Sequence, residues 1–291
     1  MFSGGDGTQK TPYVISTVTQ LLAFATSVNS GNVYAGKYVK LGADIDLKEV
    51  VWLPIGSYNK GGGTRSFNGF FDGAGFSIYN MGAGNRVRQA SALFGALDGA
   101  TINNVSLQLI DATGDSNVGG LVGFMSRSVL TGCSVSGAVK GQSAVGGIVG
   151  SAFKGILQNC IFFGTVVGDS GVGGIAGTID QAALRLCNVA GQIEGGTDVG
   201  GFVGGVLEGM LMDCIANTVT VQGKLNVGGL VGNLIGNGNV NKSSFNGQIM
   251  GDSNVGGVVG RMMSGGLLTC SVTGSIKGKT HADGEIGRAH V

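Results

Sequence analysis

Five cysteines, at positions 133, 160, 187, 214 and 270, mark this chain with a period. The first four stand 27 residues apart. The last gap, 56, is two steps of 28, with Ser243 standing between them. A Val-Gly-Gly tripeptide precedes each position, beginning at Val118, Val145, Val172, Val199, Val227 and Val255. A repeat this strict over more than half the sequence means one structural unit copied and stacked, and this limits the fold before any single residue is considered.

Composition narrows the choice of unit. Glycine supplies 59 of 291 residues, and there are only two prolines. The chain lacks the three-residue period of collagen, and its interleaved Val, Ile, Leu and Phe exclude a simple flexible linker. Net charge is +1 without a long basic run, so no nucleic-acid partner is expected. No stretch of 18 apolar residues occurs, and no membrane span is expected. Met1–Gly5 lacks the basic and apolar regions of a signal peptide.

Within each repeat the residues alternate. Cys133, Val135, Gly137 and Val139 are spaced by two, with Ser134 and Ser136 between. The same run recurs from Cys160, Cys187, Ser243 and Cys270. Apolar and polar residues at period two make a half-buried strand. The glycine at the fifth place predicts a bend between two strands at a corner. Adjacent Leu121 and Val122 cannot both face inward in a regular strand, so a bulge or corner is expected near them. A repeat of 27 residues holds about three short strands and three turns. No helix signature interrupts residues 114–280, which argues against a βαβ fold.

The expected fold is all-β: a single-stranded, right-handed parallel β-helix (solenoid) of 27–28-residue coils. About eight coils would form a rod on the order of 38 Å long. Residues 1–57 read as a strand-helix-strand cap: Pro12–Ser16 as strand, Ser16 or Thr17 as helix cap, and Val18, Leu21, Leu22, Ala25 and Val28 at helical spacing. Tyr38–Leu41 and Ile45–Leu47 read as strands. A cap is needed because a terminal rung exposes unpaired backbone and apolar interior. Residues 58–280 form the array, and 281–291 a tail that breaks the pattern. Glu285–Val291 matches the translation of a common sequencing-adapter read, so the native C-terminus is expected to be missing.

The chemistry-bearing residues are few. Stacked cysteines have parallel Cβ vectors near ~4.8 Å apart, where a disulfide wants ~3.8 Å. They read as a buried ladder of free thiols. No two lie within 20 residues, which does not suit a zinc site. His281 and His290 both lie beyond the last repeat, so no triad with a histidine base can be built in the body. Asp115, Asp169 and Asp252 share one slot, but neighbouring coils place Gln142, Gly196 and Lys224 there. Such Gly-Asp-Ser segments are turn formers. Val-Gly-Gly-Leu-Val-Gly lacks the Gly-Lys-Ser/Thr end of a phosphate loop. No catalytic residue, metal or cofactor is expected. One outward face departs from polarity: Ile161, Phe163 and Val167 are either a patch for a partner or the seat of an adjacent loop or domain.

The Gly-x-Val/Ala-Gly core, from Gly120–Gly123 through Gly257–Gly260, resembles the GLUG motif. That motif occurs in large bacterial surface proteins, adhesin-like proteins and immunoglobulin A-cleaving metallopeptidases among them. Gly4–Gly7, Pro12–Ser16, Ala43–Leu47, Pro54–Gly56 and Phe67–Gly73 look like the segment preceding such repeats. The resemblance covers nearly the whole chain to about residue 280. It implies an extracellular or cell-surface location and partners such as host or matrix glycans or proteins. The peptidase members carry their zinc motif in a separate domain, and no catalytic residue transfers. The expected function is a non-catalytic adhesive or stalk module of a larger surface protein. The alternative is the accessory region of a secreted peptidase, or a carbohydrate-active β-helix enzyme.

Overall fold

A computed structural model describes residues 1–59, 61–82, 92–283 and 286–289. The chain winds into a parallel β-solenoid of about ten turns. One coil shows the plan. Ser134–Lys140 and Ser143–Gly146 form a long side interrupted at Gly141–Gln142, Val149–Phe153 forms a second side, and Ile156–Gln158 a third. The coil thus holds four strands on three sides. In the coils of Ser244–Gly256 and Ser271–Asp283 the long side runs unbroken.

Among the described residues the strands of successive coils pair in parallel and mostly in strict register, for example Val135 with Phe162 and Phe162 with Val189. The repeat dictates this. A shift by one residue would turn every inward side chain outward, so identical alternation in successive coils locks the register. Val139, Phe162, Val166, Ile193, Val221 and Ile249 are fully buried inside the coils. Leu121 and Val122 are also both fully buried. The chain turns between Ser116–Gly119 and Val122–Ser126, so the two residues enter the core from different sides of a corner.

The fifth-place glycine is not the corner that the sequence suggests. Gly137, Gly164, Gly191 and Gly274 lie within single strands, at φ between +121° and +154°. They bend the strand, and a Cβ on Gly191 would fall onto the carbonyl oxygen of Gly164. Two coils make the same bend without glycine, by adding one left-handed residue. Leu109 (φ 56°) stands at the register shift opposite Gly137, and Thr218 (φ 58°) at the shift opposite Gly191. Thr218 is the extra residue in the 28-residue step from Val199 to Val227. The next step gains its extra residue in the turn between Val231–Leu234 and Asn239–Asn241.

The N-terminus joins the stack. Strand β1 (Tyr13–Ile15) pairs with β2 (Tyr38–Leu41), and β2 with Phe70–Asp72, starting a ladder of ten strands that ends at Gly266–Leu268. The turn count exceeds eight because these N-terminal strands pair as rungs. Helix α1 (Val18–Asn29) is capped by Thr17, whose hydroxyl accepts from the Gln20 amide at 3.3 Å. Such a cap is worth about 1 kcal/mol. The helix buries Leu21, Phe24, Ala25 and Val28, and the Phe24 ring meets Phe67 at 5.5 Å and Tyr34 at 5.0 Å. Strand β3 (Ile45–Asp46) pairs with Ser77–Tyr79. At the other end, pairing continues through Val255 with Ala282 and Val259 with Ile286.

Candidate binding surfaces

The thiols form an interior ladder. Cys133, Cys160, Cys187 and Cys214 are fully buried and free, and Cys270 is half-buried. Each occupies the corner after the third side, where the thiol donates to the carbonyl two residues earlier, as Cys187 does to Arg185 at 3.3 Å. The thiol one coil below, together with burial, pushes Cys160 and Cys187 up to about 12, and Cys214 is raised by the same causes. Cys133, at the end of the column, is instead lowered by its hydrogen bond with Cys160; the three thiols that keep their protons are poor nucleophiles and poor metal ligands. Ser243 fills the same slot, donating to the Asn241 carbonyl at 2.8 Å and accepting from the Cys214 amide at 3.2 Å.

The acids do not converge. The slot of Asp115, Gln142, Asp169, Gly196, Lys224 and Asp252 stacks as a column of turns, each amide bonding to the carbonyl of the coil before. Asp252 is paired with Lys279 at 2.7 Å, and Asp115 accepts from Gln142 at 3.4 Å. Among the described residues no three His, Cys, Asp or Glu side chains gather as metal ligands. Among them, too, no helix is long and apolar enough to cross a membrane. His281 lies exposed in the strand Ser271–Asp283, and His290 falls outside the described residues.

The apolar patch is placed on the long side. Ile161 (48% exposed) and Phe163 (64% exposed) face outward, and Val167 is half-buried on the same strand. Their register neighbours are small or polar: Ser134 and Asn188 beside Ile161, Ser136 and Ala190 beside Phe163, Lys140 and Glu194 beside Val167. The flanking coils leave both Ile161 and Phe163 open to solvent.

A second surface was not visible from the repeat pattern. On the second side, the outward residues of successive coils stand in one column: Phe124, Ser151, Thr178, Gly205 and Asn233. Gly205 contributes no side chain, and the column sinks there into a groove of about 460 Å³. One wall carries Phe153, Asp180 and Leu207, and the other carries Asp198. At one end Phe124 stacks on Tyr58 at 4.0 Å between ring centres. On the floor Thr178 and Ser151 hydroxyls lie 2.9 Å apart, and Ser151 donates to the Asn117 side-chain oxygen at 2.6 Å. Since that proton is spent on Asn117, Thr178 is the donor to Ser151. Asp198 accepts from Asn226 at 2.7 Å. Two of the lining residues each carry a buried oxygen without a hydrogen-bond partner: Asp180 Oδ1 and Asn233 Oδ1. The available signal in the sequence was the mismatch of one column, Phe-Ser-Thr-Gly-Asn, against otherwise uniform repeats.

Comparison with known proteins places the architecture. No family model matches the chain. The chain is 32% identical to halomucin of Haloquadratum walsbyi over 148 residues, which covers 47% of this chain and 2% of halomucin. Among solved structures, it superposes with a TM-score of 0.61 on a Bacteroides ovatus protein described as an immunoglobulin A1 protease. That match has 19% identity and covers 98% of this chain and 87% of the other. A structure named IgA1 protease gives the same TM-score and identity over 95% of this chain and 20% of its own length. The class is therefore a parallel β-solenoid of the kind seen in those proteins. Identity at this level speaks for the fold alone, and the chain spans a small fraction of the curated relative it matches.

Proposed function

We propose that this chain is a non-catalytic β-solenoid module of a larger secreted or surface protein, and that it serves as an adhesive stalk. The observation that carries the reading is the unbroken parallel ladder from β1 to Gly266–Leu268, with an apolar patch exposed on its flank. A rod whose successive coils are joined by in-register hydrogen bonds holds length and shape along its axis, as a stalk requires. Ile161 and Phe163 are surplus to that task, because outward apolar side chains add nothing to the core and mark contact sites when contiguous. The halomucin and IgA1 protease likenesses support membership in a larger secreted or surface protein; the GLUG assignment and partners among matrix glycans or proteins belong to the proposal itself. The alternative, a carbohydrate-active enzyme, calls for carboxylates converging in a cleft. Here Asp180 and Asp198 share a groove, but Asp198 is already bonded to Asn226.

Retention of the purified chain on immobilised extracellular matrix and mucin tests the adhesive reading. The parent is expected to be retained, and Phe163→Ser to lose most of that retention. The exposed substitution should change stability by no more than about 0.5 kcal/mol. Absence of retention on every such surface, or hydrolysis of a glycan by the purified chain, overturns the reading.

A further inference from the structure

The groove beneath Gly205 points to a ligand. We infer that it is a binding site for a neutral, hydroxyl-rich ligand, namely a short linear oligosaccharide lying along the solenoid axis. The inference deepens the adhesive reading and rests on it for biological sense, although the site itself can be tested alone.

Four observations carry it. First, Asn233 is only 6% exposed, lines the groove, and leaves its side-chain oxygen without a partner, as does Asp180 on the wall. A buried oxygen left unpaired is costly, and a ligand hydroxyl that reached it from the groove would recover that cost. Second, the groove offers acceptors. The Thr178 proton is committed to Ser151, which leaves the Thr178 lone pairs, Asp180 and Asn233 to receive protons from a ligand. Third, the walls beside these oxygens are apolar, with the Phe153 ring and Leu207 available for the C–H faces of a sugar ring. Few convergent polar groups among apolar walls is the pattern of a small-molecule site. Fourth, the charge is balanced. Asp180 and Asp198 lie in the groove, the Lys154 ammonium sits over the Phe153 ring at 4.9 Å, and Arg261 is the register neighbour of Asn233. Such a site steers neither a polyanion nor a polycation. The column from Phe124 to Asn233 spans five coils, or roughly 19 Å at the parallel-strand spacing, which suits an extended chain.

Gly205 supplies a direct test. A Cβ built there meets only the Thr178 methyl, at 3.7 Å, and the backbone is not left-handed, so a larger side chain fills the groove without straining the coil. The experiment titrates the full chain with gluco-, manno- and galacto-oligosaccharides by calorimetry, with an oligouronate and a lysine-rich peptide as separate arms. At least one neutral oligosaccharide is expected to bind. Gly205→Leu should weaken that binding at least tenfold and Asn233→Ala severalfold, each with an unchanged circular dichroism spectrum. Phe163→Ser should leave it unaltered. No neutral oligosaccharide binding, equal binding by Gly205→Leu, or preference for the uronate or the peptide overturns the inference. Matrix retention that survives Gly205→Leu but fails in Phe163→Ser, with no sugar bound, would sink the groove and keep the adhesive reading. Sugar binding without retention on any surface would do the reverse.

Discussion

Replacing Gly191 with alanine should show how the strand bend is made. Gly191 sits at φ +126° and its missing side chain would land on the Gly164 carbonyl oxygen, with the carbon and nitrogen of Gly164 also within 3.0 Å. Holding an L-residue at such a backbone angle costs about 1–3 kcal/mol. Forcing two hydrogen-bonded coils apart adds a further 1–3 kcal/mol, roughly the cost of overpacking. The sum, about 2–6 kcal/mol, is large beside a total stability of 5–15 kcal/mol for ordinary domains. The fold itself provides a rescue. The coil Ile215–Gln222 makes the same bend with Thr218 as an added residue, so Val219 pairs with Gly191. Gly191→Val with one asparagine inserted before it copies that arrangement, and asparagine tolerates the left-handed region. The inserted variant should recover more than half of what Gly191→Val loses. Urea unfolding followed by circular dichroism measures both, and hydrogen exchange along Asn188–Glu194 locates the loss, because stacked coils can open locally. Gly191→Ala within about 0.5 kcal/mol of the parent, or an insertion that rescues nothing, would refute the reasoning.

Other outcomes follow from the interior. Cys187→Ser should cost no more than about 1.5 kcal/mol, since the serine can donate to the Arg185 carbonyl as Ser243 does to Asn241; Cys187→Leu should cost about 1–3 kcal/mol by overpacking, and urea midpoints separate the two. Alkaline pH should destabilise the fold: the thiols at 160 and 187 ordinarily titrate near 9.0 but hold their protons to about 12, so between those values the unfolded chain binds fewer protons than the native one and stability falls as pH rises. Melting temperatures recorded across that window test the sign, and replacing both thiols by alanine should flatten the slope. In native protein, Cys270 should react with a thiol reagent before the four buried cysteines, which should wait for unfolding. Phe24→Ala should cost about 3–5 kcal/mol, because a fully buried ring leaves a cavity where α1 meets Phe67, and thermal denaturation reads it.

Much of this architecture could be read from spacing. The cysteine and Val-Gly-Gly periods gave the stacked coil, and the alternation from Cys133 to Val139 separated inside from outside. The helix after Thr17 followed from apolar spacing, although Phe24, its most deeply packed ring, lay outside the predicted face. The bend was misplaced at a corner, because a glycine in a strand reports freedom of φ but not what uses it; the Gly164 oxygen that approaches Gly191 belongs to a coil 27 residues away. The patch at Ile161 and Phe163 was legible because it breaks a local alternation.

The groove was not, and the reason is geometric. Local sequence decides which way a side chain points, since the strand period is two and the coils hydrogen-bond in register. That was enough to fix the solenoid, its filling and the outward apolar strand. Which outward side chains stand together depends on the lateral stacking of coils, and the insertion at Thr218 offsets the count before Asn233 comes level with Gly205. Only the stacked structure brings the gap at Gly205 between Thr178 and Asn233, and leaves two of the lining residues with a buried, unpartnered oxygen.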